Sequence, residues 1–333
     1  MIHFIPLENL EERYTVLMNN IVNKSGKVKS YYPNDWEQKQ ISKGEFLDIE
    51  RTIEFKARQL QMISQAFQRG EVMNGDWFFF ADIFFSGLDA VKYMSELQGI
   101  KVKVAAFNHA GRADEYDFVQ NLGPWADSVE RSWHNICDIV FVGSEFQRQN
   151  IRNYFYIDED KIHVTGCVWN NEEAYKVLPI QYPKIDRVIF PHRIAKEKGI
   201  GDFLKIARAI PEKQFLITSS SNKECGYELP DNVTYMNNLR KIDYYSELSH
   251  SKYYLSTAYQ ETFGYTLREA LLYNCRVVAP KALCYPEMLP EECLYERGDI
   301  ETIRKYLSDD YKIDEKFKNL YDNSFENMLS YLK

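Results

Sequence analysis

Short continuous apolar runs alternate along this chain with longer stretches in which apolar residues recur every three or four positions. Strands therefore alternate with amphipathic helices. Strands are predicted over 2–7, 76–85, 102–107, 139–142 and 161–167, with a further one around 28–32. Helices are predicted over 10–22, 46–67, 87–97, 124–137 and 145–154, with Ser144 as the cap of the last. The stretch 168–184 has no period and holds two prolines, so it reads as a linker. A second series follows, with strands at 188–190, 215–218, 233–235, 253–256 and 276–279, a helix at 244–250, and polar helix from 300 onward. Two α/β series joined by a linker predict two Rossmann-like, doubly wound domains facing a central cleft. The expected division is 1–170, a linker at 171–186, 187–312, and a closing helix within 313–333 that crosses back to the first domain.

Length and composition agree with two ordinary domains: 333 residues, 45% hydrophobic and 27% charged. No apolar run is long enough to span a bilayer, and the start MIHFIPLENLEERY lacks the basic and apolar regions of a signal peptide. A cytoplasmic location without membrane insertion is expected. The six cysteines are scattered with no C-x-x-C pair, which predicts reduced, buried thiols and neither a disulfide framework nor a zinc site. Asp158-Glu159-Asp160 reads as a solvated acidic turn. The net charge of −8 lies wholly in residues 1–175, with 18 basic and 26 acidic side chains. Residues 13–69 run the other way, with 10 basic and 6 acidic side chains.

The most informative stretch is YQETFGYTLREALLYNCRVVAP, residues 259–280. Glu261 falls on a loop, and Glu269 on the helix that follows Gly264. Asn274 ends that helix before a buried strand. Backbone N–H groups from Thr262 to Thr266, with Phe263, Gly264 and Tyr265 between them, are the donors of a helix start and suit an anion. A carboxylate on each side of a phosphate cradle suits a sugar nucleotide, although spacing alone leaves open an ordinary loop–helix–strand. Asn108-His109-Ala110-Gly111 follows a strand of the first series, so His109 sits where open α/β sheets bind ligands. Asp82 lies inside the apolar run 76–85, as hydrogen-bonded structure or as part of a site.

ETFGYTLREALLYNCRVVA resembles the E-x7-E signature of retaining glycosyltransferases with the two-domain GT-B fold, the broad family of glycogen and sucrose synthases. HRIAKEKGIGDFLKIARAI resembles the same family's Gly-Arg…Glu-Lys-Gly pattern, with His192 where glycine is more usual. The resemblance covers roughly residues 100–290. It implies transfer of a sugar from a nucleotide donor, with UDP-glucose favoured, and retention at the anomeric carbon. It implies that Arg193 and Lys198 hold the diphosphate, Glu269 the ribose, Glu261 the donor sugar, and that His109 faces that sugar. No metal cofactor is then required, because cations and a helix end neutralise the leaving group. The first loop, Pro6 to Leu10, lacks the family's glycines.

The acceptor has three candidates: a glycan or glycolipid, a small molecule, and a hydroxymethylated pyrimidine in DNA. The glycine-free loop and the short, Tyr- and Asn-rich chain look like divergent phage-type transferases that decorate DNA bases, so DNA is the leading expectation. The basic, aromatic stretch with Arg13, Lys24, Lys27, Lys29, Tyr31, Tyr32, Trp36, Lys39 and Lys43 would hold phosphates and stack a base. Arg112 and Asp114, on the loop after His109, are further acceptor-side candidates. A nucleotide-sugar-binding protein without activity is the alternative from another class. A dinucleotide oxidoreductase is disfavoured because no G-x-G-x-x-G follows a strand.

Overall fold

Two six-stranded sheets, parallel at every pairing, carry the described part of the chain. The computed structural model describes residues 1–9, 14–37, 49–219, 224–310 and 312–333. Arg13, Lys39 and Lys43 therefore lie outside the described residues. The chain divides into one unit of Met1–Trp169 with Asn323–Lys333, and a second of Asn170–Asp322.

The first unit runs β1 (Ile2–Ile5), α1 (Tyr14–Lys24), β2 (Lys29–Ser30), α2 (Ile49–Gln68), β3 (Trp77–Phe80), α3 (Leu88–Leu97), β4 (Lys103–Asn108), α4 (Trp125–Ile136), β5 (Ile139–Val142), α5 (Glu145–Phe155) and β6 (Ile162–Val164). Its strand order is β2-β1-β3-β4-β5-β6. A parallel strand covered on both faces reads as unbroken apolar sequence. Trp77-Phe78-Phe79-Phe80 is such a strand, buried throughout, with Phe79 opposite Phe4 on one side and Ala105 on the other.

The second unit runs α6 (Asn171–Tyr175), β7 (Ile185–Phe190), α7 (Ile200–Ala209), β8 (Gln214–Thr218), β9 (Val233–Met236), α8 (Lys241–His250), β10 (Ser251–Leu255), α9 (Tyr265–Leu272), β11 (Arg276–Pro280), α10 (Tyr285–Met288), β12 (Leu294–Tyr295), α11 (Ile300–Tyr306) and α12 (Glu315–Lys318). Its order, β9-β8-β7-β10-β11-β12, is the doubly wound one, with the reversal between β7 and β10. Ligands of such sheets bind beyond the strand ends at that reversal.

Two boundaries differ from the sequence reading. The stretch 171–186 joins the second unit: Asn170 caps α6 through the amides of Glu172 and Glu173, and β7 already starts at Ile185. Residues 312–322 also stay there, because buried Arg268 donates to the Phe317 carbonyl (2.9 Å) and to Asp322 (2.8 Å). Only α13 (Ser324–Tyr331) returns to the first unit, where Ser324 donates to the Cys167 carbonyl (2.8 Å) and the Tyr331 ring meets His163 (4.3 Å). All six cysteines are buried and stand outside any disulfide.

Candidate functional site

In the second unit the reversal between β7 and β10 brings two loops together. One runs from β7 to α7 and carries Arg193 and Lys198; the other runs from β10 to α9 and carries Glu261 and Gly264. Tyr259 and Gln260 donate their amides to the Glu197 carbonyl (2.8 and 3.1 Å). The Thr257 hydroxyl donates to the Gly199 carbonyl (2.9 Å). Gly199 permits this approach: its φ is 71°, and a Cβ there would lie 2.2 Å from the Thr257 carbonyl oxygen, a backbone atom that cannot swing aside. Arg297, which the sequence reading passed over, braces the second loop by donating to the Ala258 carbonyl (2.5 Å) with its guanidinium over the Tyr259 ring (4.4 Å).

The stitched loops place Lys198 Nζ 2.7 Å from the Gln260 carbonyl and 3.2 Å from Glu261 Oε2. Glu261 Oε1 accepts from the Gly264 amide (3.0 Å), so this carboxylate joins a lysine to the start of α9 and itself takes one of the amides assigned to an anion. Arg193 pairs with Glu197 at 2.6 Å and remains half exposed. Buried His192 meets the Tyr254 hydroxyl (3.1 Å), which also bonds the Thr266 hydroxyl (3.0 Å). Burial, followed by the charges of Lys198 and Arg193, holds this imidazole well below its usual pKa, so it is neutral. Phe263 is buried, with its ring against Tyr265 (5.2 Å) and Tyr321 (5.8 Å).

Glu269 lies on the buried face of α9, with a side chain only 6% exposed. It accepts from the Tyr244 hydroxyl (2.6 Å), the Tyr245 hydroxyl (3.0 Å) and the Lys241 ammonium. Burial, then the Glu269 charge, pushes both phenols up in pKa, so they remain donors. Lys241 and Tyr245 were absent from the sequence reading, which began helix α8 at Tyr244 and so missed its first turn. No local signal marks this contact, since α8 and α9 meet only through the fold.

At the strand ends of the first unit, His109 Nε2–H donates to the Ala81 carbonyl (3.0 Å), which sets the tautomer. Burial lowers its pKa despite the nearby Asp82 charge, so the ring is neutral at neutral pH. Asp82 accepts from the Phe84 amide (3.1 Å) and pairs with Lys56 (3.3 Å), a partner that only the packing of α2 reveals.

The other acceptor-side candidates do structural work. Tyr31 is 2% exposed; its hydroxyl donates to His3 Nδ1 (2.6 Å), and His3 donates in turn to Asp76 (3.0 Å). It belongs to the core and cannot stack a base as expected. Tyr32 is half-buried, with its hydroxyl 3.4 Å from the Asn9 amide and its ring edge-on to Phe55. The guanidinium of Arg112 organises its own loop, donating to Asp127 (2.8 Å) and to the carbonyls of Val119, Gln120 and Leu122 (3.0 to 3.3 Å). Asp114 caps a turn through the Tyr116 amide (3.1 Å). Among the described residues of the basic stretch, several cations pair with carboxylates: Lys29 with Glu71, Arg51 with Glu8, and Arg58 with Asp35 and Glu54. Trp36 lies between these groups, with Arg51 and Arg58 4.3 and 5.1 Å from its ring.

Among the described residues no cluster of three His, Cys, Asp or Glu side chains is placed to hold a metal ion, and no helix is long and apolar enough to cross a membrane.

No family model matches the chain. Over 155 residues it is 26% identical to the tRNA-queuosine alpha-mannosyltransferase of Drosophila melanogaster, a match spanning 43% of this chain and 41% of that protein. The chain thus spans about two-fifths of the length of this curated relative. Among solved structures it is similar to a sucrose-phosphate synthase from Thermosynechococcus elongatus, with a TM-score of 0.65, 15% identity, and coverage of 99% of this chain and 94% of that one. It is similar to the lipopolysaccharide outer core galactosyltransferase WaaB, with a TM-score of 0.64, 15% identity and 99% of both chains covered. HepE of Anabaena, solved in complex with UDP and glucose, gives a TM-score of 0.60 at 12% identity, with 99% and 94% covered. Two parallel doubly wound units with this strand order and these neighbours identify the fold of the chain as that of the GT-B glycosyltransferases.

Proposed function

We propose that the protein is a retaining glycosyltransferase that moves a hexose from a UDP-sugar to a hydroxyl on a modified nucleic-acid base. The observation that carries the transfer reading is the Lys198–Glu261–Gly264 arrangement at the β7/β10 reversal. A diphosphate arriving there exchanges Lys198 from a carboxylate to a phosphate and meets the positive end of α9. Arg193 adds a second, more exposed cation. The anomeric C–O bond to the diphosphate breaks while the acceptor oxygen bonds on the same face, and the acceptor proton leaves on the departing phosphate oxygen. No covalent enzyme intermediate is needed. The protein supplies positioning and charge stabilisation, without a metal ion. Neutral His109 in the first unit serves the reacting sugar as a hydrogen-bonding group, and Glu269 the ribose.

The base acceptor is supported by the curated relative, whose own acceptor is queuosine in tRNA, and hydroxymethylpyrimidine DNA is the form assigned here. The ion-paired state of Lys29, Arg51 and Arg58 favours a second reading, an uncharged glycan, because it lowers the positive potential these three cations offer to phosphates. One experiment separates them. The protein is incubated with labelled UDP-glucose and other nucleotide sugars, together with hydroxymethylpyrimidine DNA, tRNA or a glycan panel, and the product's anomeric configuration is read by NMR. Label on DNA or tRNA with retained configuration supports the proposal. Label on glycans alone replaces the acceptor, and no consumption of any nucleotide sugar removes the enzyme reading.

A further inference from the structure

We infer that Glu130 is a positioning residue for His109: from beneath the turn 108–112 its carboxyl group holds the backbone that aims the imidazole. The inference rests on the proposed role of His109 in transfer. Glu130 lies on the inner face of α4 and is 1% exposed. Its Oε2 accepts from the Arg112 amide at 3.0 Å. Its Oε1 is buried with no hydrogen-bond partner among the described residues. The carboxyl packs so close to the turn that a Cβ on Gly111 would lie 2.3 Å from Oε1. Any side chain at 111 would push the acid off the Arg112 amide.

The same helix grips the turn a second time. His134, one turn on, donates Nδ1–H to the Glu130 carbonyl (2.8 Å), and its Nε2 accepts from the Asn108 side-chain amide (3.0 Å). Burial pushes His134 down to about 4, so it holds Asn108 as a neutral ring. From α5, Gln147 donates to the Asn108 carbonyl (2.7 Å). Asn108 and Arg112 are thus fixed from the helix side, while His109, between them, reaches the Ala81 carbonyl. An ordinary structural carboxylate would be matched by a cation or several donors. This one has a single amide and an orphaned oxygen, which suits a neutral acid.

The surrounding charges agree. Desolvation dominates and raises Glu130 from 4.5 to about 8. Asp117 and Asp127 oppose its ionisation and Arg112 favours it, but the Arg112 guanidinium is directed to Asp127. The other titratable group on this face, His134, is neutral. Above the transition the ionised Oε1 has no donor, so water must enter or the turn must move, and His109 moves with it.

The test follows UDP-glucose hydrolysis by the full chain from pH 6 to 10. In the wild type kcat should fall about tenfold per pH unit above about 8, with KM little changed. Glu130→Gln, neutral at every pH and able to accept from the same amide, should keep its pH 7 rate and lose the falling limb. Gly111→Ala, if folded by circular dichroism, should lose at least about tenfold in kcat at pH 7, as displacement of a positioned group does. In parallel, the His109 ring resonances, assigned with His109→Gln, should shift near pH 8 in the wild type and not in Glu130→Gln. An unchanged falling limb in Glu130→Gln, or His109 resonances that titrate identically in both proteins, overturns the inference. A wild type inert toward UDP-glucose counts against the transferase reading, and the resonances then decide the positioning role alone.

Discussion

Replacing Glu269 with alanine should unfold the α8–α9 contact before it does anything subtler. The carboxylate is 6% exposed and collects the Lys241 ammonium and two phenol donors. Removing one partner of a buried ion pair costs about 3–5 kcal/mol. The Lys241 side chain is 31% exposed and can turn to water, so the lower end applies. The two phenols have less freedom, and each stranded donor adds roughly 1 kcal/mol or more. A loss of about 5 kcal/mol is expected, equivalent to on the order of several thousandfold in the local opening constant. The five tryptophans all lie within residues 36–169, so their emission reports the first unit; hydrogen exchange resolved to residues 241–250 and 265–272 is the suitable assay. Protection in both segments should fall together. Glu269→Gln keeps the shape and one acceptor, so it should lose roughly 1–2 kcal/mol of stability while raising the Kd for UDP at least about tenfold. In a double-mutant cycle with Lys241→Met the effects should be non-additive by about 1–2 kcal/mol. A loss below 1 kcal/mol in Glu269→Ala, with additive effects in the cycle, would refute the assignment of this carboxylate as the anchor between the helices.

Other outcomes are equally specific. Lys198→Ala should lower turnover by about 2.7–4 kcal/mol in the transition state, with donor affinity changed less; wild-type kcat at saturating donor would exclude Lys198 from leaving-group stabilisation. Gly199→Ala forces apart the loops that carry Lys198 and Glu261, and should lose several degrees in melting temperature along with most activity; a fully stable, active variant would show that the 2.2 Å approach is not required. Raising Glu130 from 4.5 to about 8 removes stability as pH climbs through that interval, by at most on the order of 4–5 kcal/mol. The stability is fully present below pH 4.5, so Glu130→Gln should melt higher than the wild type at pH 9, and equal melting there would contradict a buried neutral acid. Turnover should survive EDTA, and loss restored by magnesium or manganese would reveal a metal site.

The sequence by itself determined most of the strands and many of the helices, because burial on both sheet faces writes unbroken apolar runs such as Trp77–Phe80, and helical faces write their own period. It marked the turn from Glu261 through Gly264 into α9 and the stop at Asn274, which takes a left-handed φ of 57°. It also marked Lys198 and His109 at strand ends. These signals are local, set by side chains a few positions apart. What only the tertiary structure decided is the electrostatic state of each group. Lys198 meets Glu261 across more than sixty residues, Glu269 meets Lys241, and Asp82 meets Lys56, each through the packing of elements distant in sequence. Within the basic stretch that suggested a phosphate surface, Lys29 and Arg51 fold against Glu71 and Glu8, and Tyr31 turns inward to His3. Charge counted along a chain carries no information about which opposite charge will fold against it, and burial, which sets both pKa and access, exists only once the sheets are covered.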